Sequence, residues 1–472
     1  MPEDSDFAPR GMYSGHNSLE VYDYSMFAQE RFAEWVGAIS AGIRQSGSKQ
    51  LITVGQDEGG FQDRPSPAFF APHVDFTTNH TWWQNDSLLW DSLVAKQPGK
   101  AMLIQETGLQ RELNIDETAR RTPESEAALF ERKMAMSLVR GSGAIEWLWN
   151  TNSYMTEGNE TPIGALRADR TEKPEATVMR DFASFATVLS NHLRNPEVPQ
   201  VAVIASQAAQ YSVLAELQIE AQRKSVRALA YYSRFMPYLI YENQIDKLGD
   251  PKLAILPSAQ SLTEHTWQAL LKYVQGGGRL LITGPIDRDE HWQRVNRAAT
   301  IVPGAHAIPL TYHNASVAPQ DASSMPALTG PRELSLSFDL EAQSWLESLR
   351  LPGASFSEVN YGKGVVDWAA EPVELSRGAL ATADLYSYVA ARAQIRPPFE
   401  LLEKLAPGVL VYCTLLEDSV LYVIVSDDAE DAAVALRDRE TGVRLELKLP
   451  AERAALALIG RKEKSLLGKY GF

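Results

Sequence analysis

Apolar and polar positions along the chain fall into three regimes. From residue 22 to about 150, helical and strand periods alternate. In 22–46, Phe32, Trp35, Val36, Ile39 and Ile43 share one face at helical spacing, and Gly47 follows as a C-terminal stop. Strands are expected to begin near 51, 73, 101 and 143, in "KQLITVGQDEGG", "PHVDFTTNHTWW", "KAMLIQETG" and "SGAIEWLWNTN", with a Glu-, Ala- and Leu-rich helix over roughly 122–140. Each strand runs apolar first and polar or aromatic last. That polarity marks a parallel βα array whose functional residues gather at the carboxyl ends. The spacing is close to the roughly 31 residues per unit of a ~250-residue eightfold barrel. Four such units are predicted, and four more would be needed to close a barrel.

The second regime follows a helix and Pro-marked linker over 171–199. The strand "VAVIAS" (201–206) opens it, and "PKLAILPSAQSLTEHTWQALLKYVQGGGRLLITG" (251–284) continues it. Leu253–Leu256 reads as a strand, and Ser261 with Glu264 as a capping box. The helix after it buries Trp267, Leu270, Leu271 and Val274 and stops at Gly276–Gly278. This is doubly wound βαβ patterning. "YGKGVVDWAAEPVEL" (361–375) reads as part of a strand pair. From about 405 the period switches to two, predicting short antiparallel strands with hairpins at Glu417-Asp418 and Thr441-Gly442.

Length changes this picture by requiring two or three domains, since one core stops growing near 250–300 residues and the chain has 472. A hydrophobic share of 44% and a charged share of 22% are those of a soluble globular protein. The net charge of −15 argues against nucleic acid or anionic membrane as a partner. No apolar run is long enough to span a bilayer. The opening "MPEDSDFAPRGMYSGHNS" has neither the basic nor the apolar region of a signal peptide, which makes the cytoplasm the default compartment. The lone cysteine, Cys413, excludes an internal disulfide framework and a Cys-based zinc site.

Candidate chemistry lies at the strand ends. Glu106 closes an apolar strand, and Thr107-Gly108 turn the chain away. Sugar hydrolysis takes two carboxylates, so Glu106 needs a partner. Gln56, Asp57 and Glu58 end the first strand, either as hydroxyl-recognising groups or as a turn. Glu58 is the one substitute acid the chain offers. His80, Trp82 and Trp83 end the second strand, where aromatics make a platform for the apolar face of a sugar. Trp147, Trp149 and Asn150 end the fourth, and alternation by two puts both tryptophans on one side.

These residues resemble the second half of the catalytic barrel of retaining glycoside hydrolases of clan A, the cellulase, mannanase and β-galactosidase superfamily. "LIQETG" matches the motif in which the nucleophilic glutamate ends strand seven. His80-Thr81-Trp82 matches the end of strand six, and "EWLWN" that of strand eight, with Trp149 preferred over Trp147 as the sugar platform. "PIGALRADRTEKPEA" is similar to the tail of such barrels. Where the clan often has a tyrosine touching the nucleophile, this chain has Trp82.

The order of elements resembles family 42 β-galactosidases. It implies half a (β/α)8 TIM barrel (strands five to eight) over 1–195, a glutamine-amidotransferase-like α/β domain over 196–375 and a small β-sandwich-like domain over 376–472. With Cys413 in the last of these, amidotransferase chemistry is excluded.

The implied function is retaining hydrolysis of β-linked sugars, with Glu106 as nucleophile and an oligo- or polysaccharide as substrate, needing no metal or organic cofactor. The family's acid/base glutamate lies in an Asn-Glu motif. The Asn-Glu here, Asn159-Glu160, falls after strand eight, and Pro2 would align with the proline of Asn-Glu-Pro. The second carboxylate is therefore expected just upstream of residue 1, unless the chain is a natural half-barrel. A homo-oligomer, or a second chain completing the barrel, is expected, because an open half-barrel exposes a strand edge. The rival reading is a carbohydrate-binding or scaffold protein without activity.

Overall fold

Three regions of sheet account for most of the described strands. The computed structural model describes residues 18–56, 65–81, 85–108, 118, 120–151, 163–212, 215–301, 311–312, 328–329, 356–369, 372–375 and 379–472. The chain divides into two compact units. One comprises Met1–Gln29, Pro199–Ser233 and Pro237–Arg396, the other Glu30–Val198, Arg234–Met236 and Pro397–Phe472.

In the second of these units a parallel sheet has the order β1 (Phe76–Thr81), β2 (Ala101–Thr107), β3 (Ala144–Glu146). Helix α1 (Ser18–Gln45) precedes it, and α2 (Asn85–Val94) and α3 (Pro123–Met136) connect its strands. Thr122 caps α3 by accepting the Ser125 N–H, and Pro123 takes the first helical position, where a missing N–H costs nothing. Helix α4 (Pro174–Leu189) follows.

The segment 51–56 departs from expectation, because it forms no ladder strand. It runs beside β1 through one main-chain bond, from the Asp75 N–H to the Ile52 carbonyl, and through side-chain bonds: Thr78 Oγ1 donates to the Val54 carbonyl and accepts from the Gln56 N–H, and Thr53 Oγ1 donates to the Phe76 carbonyl. The threonine hydroxyls occupy the groups a ladder would have used. The strand expected from 143 to Asn150 is also shorter, ending at Glu146.

The other unit carries a six-stranded sheet of order β10-β11-β7-β6-β4-β5. Its strands are β4 (Val201–Ala205), β5 (Pro237–Tyr241), β6 (Leu253–Leu256), β7 (Arg279–Thr283), β10 (Phe356–Tyr361) and β11 (Gly364–Ala369). All neighbours are parallel except β10, a hairpin partner of β11. The short pair β8 (Thr311–Tyr312) and β9 (Leu328–Thr329) stands apart from this sheet.

Strands β4 to β7 are buried throughout, as strands covered on both faces must be. Helix α5 (Ala215–Arg227) and helix α6 (Glu264–Gly276) belong to this unit, and α6 packs Trp267, Leu270, Leu271 and Val274 into its core. The N-cap of α6 is Thr263, not the expected Ser261. Thr263 Oγ1 accepts the Thr266 N–H, while the Thr263 N–H and hydroxyl are held by Glu242. Gly277 ends the helix at φ 119°, a backbone open to glycine at little cost. Helix α7 (Leu380–Arg392) closes the unit.

The last strands form two antiparallel sheets: β12 (Phe399–Leu401), β15 (Ala432–Asp438) and β16 (Arg444–Leu449), and, in order, β13 (Val409–Leu415), β14 (Ser419–Ser426), β17 (Ala454–Gly460) and β18 (Leu466–Tyr470). Cys413 is buried in β13.

Candidate functional site

The site is built on one irregularity in β2. Asn79 pairs with Ile104, but His80 pairs with Glu106, so two residues of β2 oppose a single step of β1. The same extra residue recurs on the other side, where Ile104 pairs with Ala144 and Thr107 with Glu146. Gln105 is thus a β-bulge, a device that re-aims a side chain. Burial follows it: Met102, Ile104 and Thr107 are buried, a step of two and then of three. Glu106 therefore leaves the face of Ile104 and joins the accessible face of Ala101 and Leu103.

On that face His80 Nδ1 lies 3.8 Å from Glu106 Oε1, and both side chains are partly accessible. Below them the strand end is tied down. Thr107 Oγ1 donates to the Thr81 carbonyl at 2.7 Å, and the Trp147 N–H donates to the Thr107 carbonyl at 2.8 Å. Gln56 is buried at the level of Thr78, two residues before His80, and Gly55 beside it lies against the Gln105 side chain. Gln56 thus borders the site from below.

Trp147 and Trp149 follow β3 directly and are 45% and 67% exposed. Because the ladder ends at Glu146, they do not stand on one strand face as alternation predicted; the peptide between Trp147 and Leu148 is cis. Their position is fixed by a clasp. The Leu166 N–H donates to the Trp149 carbonyl, the Ala165 N–H to the Leu148 carbonyl, and the Thr151 N–H to the Leu166 carbonyl. Gly164 makes this approach possible, since a Cβ there would lie 2.7 Å from the Thr151 nitrogen. Asn150 is exposed beside Trp149. Trp82 and Glu58 lie outside the described residues, as do Trp83, Asp57 and Asn159-Glu160.

A charged group that sequence reasoning passed over sits behind the site. Glu146 pairs with Thr107 and so points to the face opposite Glu106. Burial raises its carboxyl to about 9; Glu175 adds to this, and Lys133 and Lys173 oppose it. Burial raises Glu175 as well. One oxygen of each carboxyl is buried without a hydrogen-bond partner. The signal was present in "AIEWLW", a glutamate inside an apolar run, but the tryptophans beside it drew the attention. Glu146 carries a proton at neutral pH, yet its face keeps it from serving Glu106. Among the described residues no cluster of three or more His, Cys, Asp or Glu side chains is arranged to hold a metal ion, and no helix is long and apolar enough to cross a membrane.

No protein-family model and no curated protein matches the sequence. Solved structures do match it. Gan42B, a GH42 β-galactosidase from G. stearothermophilus, superposes with a TM-score of 0.69 at 16% identity, covering 93% of this chain and 68% of that one. A β-galactosidase from Rahnella sp. R3 gives 0.68 at 16% identity, covering 96% and 69%. An exo-carrageenase GH42 from Bacteroides ovatus gives 0.56 at 12%, covering 93% and 56%. The chain has an α/β fold like that of these GH42 β-galactosidases.

Proposed function

We propose that this chain is the nucleophile-bearing part of a retaining β-glycosidase of the β-galactosidase type. The observation that carries the reading is the pairing of Glu106 with His80 on the accessible face of two adjacent parallel strand ends. Glycosidases among the structural neighbours support the same substrate class. In the reaction a Glu106 oxygen bonds to the anomeric carbon as the glycosidic bond breaks, and the departing oxygen takes a proton from an acid. Water then hydrolyses the glycosyl ester and frees Glu106. Trp149, with Trp147 beside it, lies under the apolar face of the ring, and His80, Trp82, Asn150, Gln56 and Glu58 contact its hydroxyls.

The acid/base carboxyl is assigned to a group outside the described residues. A retaining pair needs carboxyls about 5–5.5 Å apart, and Glu146 is on the wrong face. The open face of the parallel sheet agrees with such a contribution. Leu103 is partly accessible and Ile145 is 50% exposed, whereas parallel sheets are almost always covered on both sides. Further βα units, from a partner chain or another part of the polypeptide, would cover that face and bring the acid. In this layout residues 1–195 are half a barrel, and 196–375 and 376–472 are a non-catalytic amidotransferase-like domain and a β-sandwich-like domain that support it in an oligomer.

The test is intact mass after incubation with 2-deoxy-2-fluoro glycosides bearing a dinitrophenolate. That leaving group departs without acid assistance. One sugar adduct, lost in Glu106→Gln, is the expected result. The exposed tryptophans together with the lack of a described second carboxylate favour a second reading, a sugar-binding protein without activity. It predicts sugar-dependent quenching of tryptophan fluorescence and no adduct with any probe.

A further inference from the structure

Three consecutive charged residues of α3, Glu131, Arg132 and Lys133, are each at most 3% exposed. Charged side chains are seldom buried unless they are paired, and neighbours on a helix point about 100° apart. Two of the three face the last strands. Glu131 accepts from Arg453 Nη2 at 2.8 Å, the Ala454 N–H at 3.0 Å and the Tyr470 hydroxyl at 2.6 Å. Arg132 Nη1 donates to the Glu452 carbonyl at 2.8 Å. Lys133 serves another element: its Nζ donates to the carbonyl of Gly108 at 2.8 Å.

From this arrangement we infer that Lys133 is a positioning residue for Glu106, and that the Glu131–Arg453 clamp anchors it to the C-terminal sheet. The inference rests on the nucleophile reading of Glu106. Gly108 lies two residues beyond Glu106, past the last ladder pair at Thr107. Its buried carbonyl has left the sheet, and the ammonium supplies a charge-assisted donor there. A bulged strand is held less firmly than a regular one, since its extra residue is unpaired. Glu106 stands between that loose point at Gln105 and the fixed point at Gly108. Releasing Gly108 would leave the carboxylate on a strand end held by Thr107 alone. Helix α3 serves as a rigid post because Glu131 and Arg132 fasten its other side.

The test compares Lys133→Met and Lys133→Arg with the unaltered chain by hydrogen–deuterium exchange, which needs no activity. The expected result is faster exchange in the peptide 101–108 of Lys133→Met, unchanged exchange in 419–426 and 454–460, and restoration by Arg, which also donates to a carbonyl. If Met is not tolerated, Lys133→Gln carries the same comparison. In the adduct assay, Lys133→Met is expected to slow labelling at saturation about 10–100-fold, the scale of a small misplacement of a reacting group, with little change in probe affinity. Exchange at 101–108 equal to that of the unaltered chain overturns the inference. So does labelling at an unchanged rate. No adduct on the unaltered chain would instead sink the glycosidase reading, and the exchange data would still decide whether Lys133 fixes the strand end.

Discussion

His80 and Glu106 face each other across the β1–β2 ladder, with Nδ1 3.8 Å from Oε1, because Gln105 adds to β2 a residue that β1 does not match. Were Gln105 an ordinary ladder residue, alternation would put Glu106 on the buried face of Ile104, the face of Glu146. Deleting Gln105 removes the bulge and lets alternation run Ile104 in, Glu106 out and Thr107 in, so Glu106 keeps its accessible face and the folded variant is expected still to form the adduct that Glu106→Gln loses. Fluorescence and circular dichroism of the folded variant would check that only the register has changed. Loss of the adduct in the folded deletion variant would show that alternation past Ile104 does not set the direction of Glu106.

Glu106→Ala should lose roughly 10³–10⁶-fold in turnover of an activated glycoside, the scale of removing a covalent nucleophile. Added azide should then attack the emptied side and give a glycosyl azide of inverted configuration. Nuclear magnetic resonance of the product identifies its anomeric form, and an azide of retained configuration would contradict the role.

His80→Ala should lower labelling by about 10–100-fold while leaving the melting temperature close to that of the unaltered chain, since His80 is only partly buried. Labelling that stays within twofold would place His80 outside the reacting geometry.

Glu146 sets a pH dependence of stability. Its carboxyl titrates near 4.5 in an unfolded chain and at about 9 when folded. Between those values the folded state holds a proton that the unfolded state has released, so stability falls as pH rises through that window and levels off above it. Glu146→Gln removes this slope. The variant should match the unaltered chain near pH 4.5 and exceed it at pH 8 by about 1–3 kcal/mol, the scale for a buried unpaired polar group. Melting curves across pH 4.5–9 decide this, and parallel curves would rule it out.

In the other unit, Arg279 Nε donates to Asp367 Oδ2 at 2.6 Å and Nη2 to Oδ1 at 2.7 Å, and both residues are buried. Burial nevertheless lifts Asp367 to about 6 against the pull of Arg279. Arg279→Met leaves that carboxyl uncompensated and should cost about 3–5 kcal/mol in chemical denaturation. Adding Asp367→Asn should recover much of the loss. An additive double variant would mean the two side chains do not act as a pair.

The regular elements were legible because periodicity carried them. Leu253–Leu256 and the buried face of α6 follow from spacing alone, and the hairpins at Asp418 and Gly442 from turn residues between alternating runs. What failed depended on side chains reaching across. Thr53 and Thr78 replace the ladder expected at 51–56, and Glu242 shifts the cap of α6 from Ser261 to Thr263. Glu106 was visible as a strand-end carboxylate, but its direction was not, because a bulge has no composition of its own. The charged triplet of α3 was hidden for a related reason. The partners of Glu131 and Arg132 lie 322 and 320 residues away, and charge on a helix reads as a solvated surface until the partner is known.

Glu131 also bears on the order in which the chain is made. Arg453, Ala454 and Tyr470 lie 322, 323 and 339 residues after it. Translation at about 5–20 residues per second delivers them roughly 15–65 s after α3 has left the ribosome. Through that interval α3 has a carboxylate with nothing to meet and a bare flank. The unit bearing Glu106 therefore cannot complete its folding as it emerges. It must wait for Arg453, Ala454 and Tyr470, more than 320 residues further along the chain.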